Sequence, residues 1–209
     1  MKISRRFSAQ KWKLHQGGAG RLEKTPQMKE EAVKSLIVYY SHSGNNEMLA
    51  KVLQERMGCP IHRILEVKKR HTISILADFY VKRHSGLEAS DVALGDYDQV
   101  IFIAPIWGRR VASPMRTFIE AEKGKFSRYH FITLCSGEEG QKEKVEMELL
   151  AASGTRPEGV EELWINSLLP EEKRNKVRYT FNYRVDREDM VRFDREIAVF
   201  LQQVRGDGR

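Results

Sequence analysis

Apolar residues along this chain fall into two spacings that alternate from about residue 35 onward. Leu36-Ile37-Val38-Tyr39-Tyr40 and Val100-Ile101-Phe102-Ile103-Ala104 are short unbroken apolar runs, the pattern of strands covered on both faces. Tyr129 to Leu134 reads the same way, and Ile61 to Val67 and Glu162 to Ser167 complete a set of five predicted strands. Between them, apolar positions recur at helical spacing. Met48, Leu49, Val52 and Leu53 predict a helix from about Asn45 to Met57. Ile73, Ile75, Leu76, Phe79 and Tyr80 predict one over Thr72 to His84, reached through a basic link, Lys68-Lys69-Arg70-His71. Ser113-Pro114 reads as the cap and first position of a third helix, with Met115, Phe118 and Ile119 inward. A fourth runs to about Ala152, and a last one spans Asp186 to Val204 with Met190, Phe193, Ile197, Phe200 and Leu201 buried. Residues 170–185, charged and aromatic by turns, have no legible period. Strands interleaved with helices predict an α/β protein with a parallel sheet and helices on both faces.

Composition changes this picture at one end only. The 209 residues are 41% hydrophobic and 31% charged, as in a globular domain with a proper core, and no apolar run nears the ~20 residues of a membrane helix. The net charge of +7 is concentrated. Lys2, Arg5, Arg6, Lys11, Lys13, Arg21 and Lys24 face a single acid, Glu23, so nearly all the excess belongs to the first 27 residues. With Gly17-Gly18-Ala19-Gly20, this stretch predicts a disordered basic tail over 1–30, followed by one domain over 31–209. Arg5-Arg6 lacks the apolar segment of an export signal, an organelle leader fits the tail weakly, and Met28 offers an alternative start of translation. Two distant cysteines, Cys59 and Cys135, form neither a disulfide framework nor a zinc spacing, which makes a reducing cytoplasm the expected compartment.

In doubly wound α/β sheets, ligands bind beyond the carboxyl ends of the strands, where strand order reverses. Three loops here follow predicted strands and carry ligand-like chemistry. Ser41-His42-Ser43-Gly44-Asn45-Asn46 opens a helix directly after a strand. Free N–H groups at a helix N-terminus, the helix dipole and serine hydroxyls together suit a phosphate, and Gly44 lets the chain approach it closely. A helix start capped by serine is the plainer alternative. Pro105-Ile106-Trp107-Gly108-Arg109-Arg110 places an aromatic ring after the third strand, and Cys135-Ser136-Gly137 follows the fourth. Trp107 could equally be a core aromatic, and Cys135 reads as a small packing residue rather than a redox thiol. The histidines show no metal-ligand spacing, and no Gly-x-Ser-x-Gly elbow marks a hydrolase.

Two of these stretches, in this order, resemble the flavodoxin family. Ser41 to Asn46 is similar to its phosphate loop, with Asn46 in place of a final threonine. Tyr97-Asp98, the strand Val100 to Ala104, Pro105-Ile106-Trp107, then Pro114 and Phe118-Ile119 resemble a second signature of one flavodoxin branch. The resemblance covers about residues 35–203. It implies a three-layer α/β/α sandwich with strand order 2-1-3-4-5 and a bound FMN.

On that basis Ser41, His42, Ser43, Gly44, Asn45 and Asn46 would hold the phosphate. Pro105, Ile106, Trp107, Gly108 and Arg109 would border the isoalloxazine, with Trp107 on its face and Gly108 near N5. Cys135, Ser136 and Gly137 would flank the ring. The loop after strand four has no tyrosine, so one face of the ring is either open or covered by another element. Arg109 and Arg110 predict either cations near the N1–C2 edge and a less reducing flavin, or two side chains that point to solvent. The resemblance implies electron transfer between redox partners. Alternatives are an FMN-dependent NAD(P)H oxidoreductase reducing a quinone or other small acceptor, and a flavin-free binding module. It implies no specific nucleic acid and no membrane span, and leaves a homodimer open.

Overall fold

The structure is a computed structural model that describes residues 33–68 and 85–206. The basic tail, the helix predicted over Thr72 to His84 and most of its basic link lie outside the described residues.

Five strands form one parallel sheet: β1 (Ser35–Tyr39), β2 (Ile61–Arg63), β3 (Gln99–Ile103), β6 (Tyr129–Cys135) and β7 (Gly159–Trp164), in the order β2-β1-β3-β6-β7. A separate two-stranded hairpin, β4 (Ile106–Trp107) and β5 (Arg110–Val111), interrupts the link after β3. Counting only strands of the main sheet, this is the predicted 2-1-3-4-5.

Side-chain alternation along the strands splits the core in two. Leu36, Val38, Val100, Phe102 and Phe131 point to one face, where α2 (Ser113–Ala121) and α3 (Gln141–Ser153) bring Met115, Phe118, Ile119, Val145 and Leu149. Ile37, Tyr39, Ile101, Ile103, Ile132 and Leu134 point to the other. They meet Leu49 and Leu53 of α1 (Asn45–Met57) and Ile197, Phe200 and Leu201 of α6 (Asp194–Arg205). The central strands β1, β3 and β6 are buried along their whole length, which explains their unbroken apolar runs.

Several boundaries differ from the sequence expectation. β2 stops at Arg63, because after Ile64 donates its N–H to the Tyr39 carbonyl the chain leaves the sheet, with an isolated antiparallel bridge from Glu66 to Leu87. The last strand begins earlier, at Gly159, and ends at Trp164. There a 3₁₀ turn, Ile165–Leu168, buries Ile165 and Leu168 in place of a longer strand. Ser113 does not cap α2. Ala112 stands at the cap position, and the Ser113 hydroxyl is held by the Ser85 hydroxyl at 3.1 Å.

The last helix is two. α5 (Arg187–Val191) starts in a reciprocal capping box between Asp186 and Asp189, and a turn at Arg192-Phe193 precedes α6. The Arg192 guanidinium fixes that turn by donating to the carbonyls of Ser167 and Leu168. The illegible stretch contains a 3₁₀ turn, Glu171–Lys173, and a short helix α4 (Val177–Asn182).

Candidate functional site

The chain ends of β1, β3 and β6 open onto one cleft of about 300 Å³. The loop after β1 is built around its own turn. Gly44 donates its N–H to the Ser41 Oγ at 3.1 Å, so the Ser41 hydroxyl proton stays available to an acceptor. Gly44 caps α1 with φ 93°, a left-handed conformation that disfavours a side chain. No heavy atom lies within 4 Å of where a Cβ would stand on Gly44. No side chain caps α1, so its first-turn N–H groups are left for another acceptor. The Ser43 hydroxyl lines the cleft.

The side-chain amides of both asparagines are engaged within the fold. Asn46 is 3% exposed, its amide donating to the Leu134 carbonyl and accepting the Leu134 N–H, both at 3.0 Å. Asn45 accepts the Val185 N–H and donates to the Tyr183 carbonyl. Both side chains border the cleft, but their polar atoms lock α1 to β6 and to residues 183–185. What positions 45 and 46 offer an anion is therefore backbone N–H.

After β3, Pro105 and Ile106 lead into the hairpin, which the Ala112 N–H closes on the Pro105 carbonyl at 3.0 Å. Gly108 and Arg109 occupy the turn with φ 56° and 65°. This pair of left-handed residues gives a two-residue turn the twist that its strands need. Arg109 carries the cost, about 1–2 kcal/mol for a residue with a Cβ. Trp107 is 8% exposed and meets Tyr40 (5.9 Å) and His42 (6.1 Å) edge to face. It is thus both a core aromatic and part of the cleft lining.

After β6, Cys135 is buried, with its thiol pushed up to about 12 by burial, so it packs and stays protonated. The Ser136 hydroxyl donates to Thr180 Oγ1 at 3.1 Å. Gly137 has φ 86°, and a Cβ there would stand 2.3 Å from the Trp164 ring.

Among the sequence-predicted site residues, His42, Ser43, Asn45, Asn46, Pro105, Ile106, Trp107, Cys135 and Ser136 line the cleft. Ser41, Gly44, Gly108, Arg109 and Gly137 belong to the loops around it but are not among the lining residues. Arg109 and Arg110, expected as cations near the ring, both have carboxylate partners. Arg109 reaches across to the loop after β6, pairing with Glu138 at 3.3 Å and donating to the Glu139 carbonyl. Arg110 pairs with Glu148 of α3 at 3.2 Å. Each charge is compensated by a carboxylate.

Sequence reasoning missed one wall. Thr180, Phe181, Asn182 and Arg184 border the cleft, so an element other than the loop after β6 covers that side. Its anchors are polar bonds dispersed along the chain: Thr180 to Ser136, Tyr183 and Val185 to Asn45, Asn175 to Asn166, and Tyr183 to Asp189. Only the burial of Thr180 and Val185 amid charged neighbours could have hinted at it.

No protein-family model matches the sequence, and no curated protein does either. Solved structures do match. The flavoprotein of Lactobacillus acidophilus NCFM, solved in complex with FMN, is 17% identical and covers 63% of this chain and 93% of its own, with a TM-score of 0.51. The apo-form of that flavoprotein gives 19% identity, 65% and 95% coverage and a TM-score of 0.52. A candidate flavoprotein from Bacteroides uniformis gives 18%, 65% and 92%, with a TM-score of 0.53. With the strand order β2-β1-β3-β6-β7 and a cleft at the carboxyl ends of the central strands, these likenesses establish that the chain has the flavodoxin-like fold.

Proposed function

We propose that this chain binds FMN in the cleft and acts as an electron carrier between redox partners. The observation that carries the reading is the uncapped N-terminus of α1, opened by Gly44 and flanked by the Ser41 and Ser43 hydroxyls, on a cleft that Trp107 and Phe181 also line. The donor set is neutral, and backbone N–H groups at a helix N-terminus with hydroxyl donors fit a phosphate dianion. The cleft is at the lower end of the volumes of small-molecule sites.

FMN, when bound, supplies one- and two-electron chemistry. The protein's own share is placement. Ser41, Ser43 and the first-turn N–H groups of α1 would hold the phosphate. Trp107, Ile106 and Phe181 would exclude water from the ring, which strengthens every electrostatic contact made to it. No acid–base residue is required, and Cys135 stays out of the chemistry as a protonated thiol. Support comes also from the FMN complex of the Lactobacillus flavoprotein, which shares the fold.

The test is the absorption spectrum of the purified chain after FMN is added and the excess removed by gel filtration. Retained flavin, lost in Gly44→Val and weakened at least about ten-fold in Trp107→Ala, is expected. A folded, colourless protein would overturn the proposal in favour of a flavin-free binding module. NAD(P)H consumption by the loaded protein separates a carrier from a reductase.

A further inference from the structure

The cleft wall carries an unusual charge pattern. Between Lys173 and Val185 lie Lys173, Arg174, Lys176, Arg178 and Arg184, with no acid among them. All five are exposed, and none is ion-paired among the described residues. Several other surface cations find carboxylates: Lys51 with Glu47, Arg56 with Asp194, Arg128 with Glu158, Arg187 with Glu55. Here Arg174 donates to the Leu169 carbonyl and Arg184 to the carbonyls of Phe181 and Tyr183. Arg178 lies 4.6 Å over the Tyr179 ring and donates to its hydroxyl. On the same short helix Val177 is 74% and Phe181 38% exposed, one helical turn apart.

From this pattern we infer that residues 173–184 are the docking surface for an acidic electron-carrier protein, delivered to the mouth of the cleft. The inference rests on the FMN reading for its purpose, though not for its binding chemistry. A small phosphate ligand would need donors converging on one point. These guanidinium groups instead turn to their own ring and carbonyl neighbours, leaving their charge spread over an outward face. An apolar spot ringed by unpaired charge of one sign is the make-up of a transient protein interface, where charge guides encounter and apolar contact fixes it. Because Phe181 and Arg184 also line the cleft, a protein seated on this strap of residues 173–184 lies against the site.

The probe is an acidic plant-type [2Fe–2S] ferredoxin, titrated calorimetrically into the full chain, both flavin-free and FMN-loaded, at low and high ionic strength. Binding is expected at low salt, falling about ten-fold or more as salt rises. Lys173→Glu/Lys176→Glu/Arg178→Glu should weaken low-salt binding by about ten-fold or more, with unchanged circular dichroism and unchanged FMN uptake. The basic tail is present in both proteins, so the difference belongs to the strap. If the charge reversal impairs folding, the three glutamine substitutions provide the same comparison with a smaller loss.

Ferredoxin binding that is absent, or indifferent to these substitutions, overturns the inference. So does equal, equally strap-dependent binding of a short single-stranded oligonucleotide, or a change in NADPH use without a change in ferredoxin binding. A chain that takes up no FMN but binds ferredoxin through the strap would retain the docking surface and lose the flavin reading. FMN uptake without strap-dependent binding would do the reverse.

Discussion

Asn46 stands where β3 has run out and β6 has not. The pairing of β3 with β6 ends at Ile103 and Ile132, and two residues later the Leu134 N–H and carbonyl face the N-terminus of α1. A single amide supplies both an acceptor and a donor there, extending the sheet's hydrogen bonding by one side chain. Asn46→Leu should therefore destabilise the fold by about 2–4 kcal/mol, since two buried backbone groups lose their partners. The midpoint of urea denaturation measures this, and a loss under about 1 kcal/mol would mean that water or a shifted backbone replaces the amide. The threonine that the flavodoxin phosphate loop has at this position would put a hydroxyl there. The asparagine thus ties the loop after β1 to β6, a role that its place in the sequence motif hid. Gly137 teaches the same lesson from the opposite side. The sequence places it beside the ring, and its lack of a side chain makes room for Trp164.

At the scale of elements, the hairpin that carries Trp107 is held from outside. Glu148 of α3 accepts the Val111 N–H at 2.7 Å, Arg110 Nε at 3.2 Å and Arg116 Nη1 at 3.1 Å, and Arg116 is only 4% exposed. One carboxylate thus ties β5 and α2 to α3. Glu148→Ala should cost about 3 kcal/mol, because it withdraws a carboxylate from a buried guanidinium. Glu148→Gln, which keeps some of the hydrogen bonds, should cost less. Chemical denaturation ranks the three proteins, and FMN uptake should weaken in the same order as the hairpin loosens around Trp107. None of this was legible beforehand, because Glu148 sits among several glutamates on a charged helix and its partners lie over thirty residues away. What could be read were elements whose burial leaves a local trace: the unbroken strands β1, β3 and β6, and α1 to the residue. The wall at 177–184 left no trace, since side-chain bonds to distant loops hold it in place of a periodic apolar face.

Across the whole molecule, stability against pH is set at its two ends by groups buried in their neutral forms. His130 is the second residue of β6, 1% exposed, with neither ring nitrogen hydrogen-bonded and its ring centroid 5.9 Å from that of Phe200, edge to face. Glu158 Oε2 approaches Nε2 at 3.5 Å, but burial outweighs its pull and lowers the histidine below its ordinary 6.5, so the contact is no ion pair at neutral pH. A depressed histidine is most stabilising above its unfolded value, and that contribution is lost as pH falls from about 6.5 through the folded one. His62, half-buried, adds to the same limb. Glu47 and Glu55, lowered from 4.5 by Lys51 and Arg187, lose their contribution only at lower pH, while Glu161, raised by burial, works in the opposite sense. At the alkaline end, burial pushes both the Tyr129 hydroxyl and the Cys135 thiol up to about 12. Raised acids stabilise fully below their unfolded values, 9.0 for the thiol and 10.0 for the phenol, and lose that contribution as pH climbs towards the folded ones. Unfolding free energy measured by urea titration across pH should therefore be flat between about 6.5 and 9 and fall on both sides. His130→Phe should flatten the first part of the acid limb, just below about 6.5, and leave the alkaline limb in place. An acid limb unchanged in that variant would assign the loss to His62 or the surface carboxylates, and His130 would then be a packing residue with no part in the pH response.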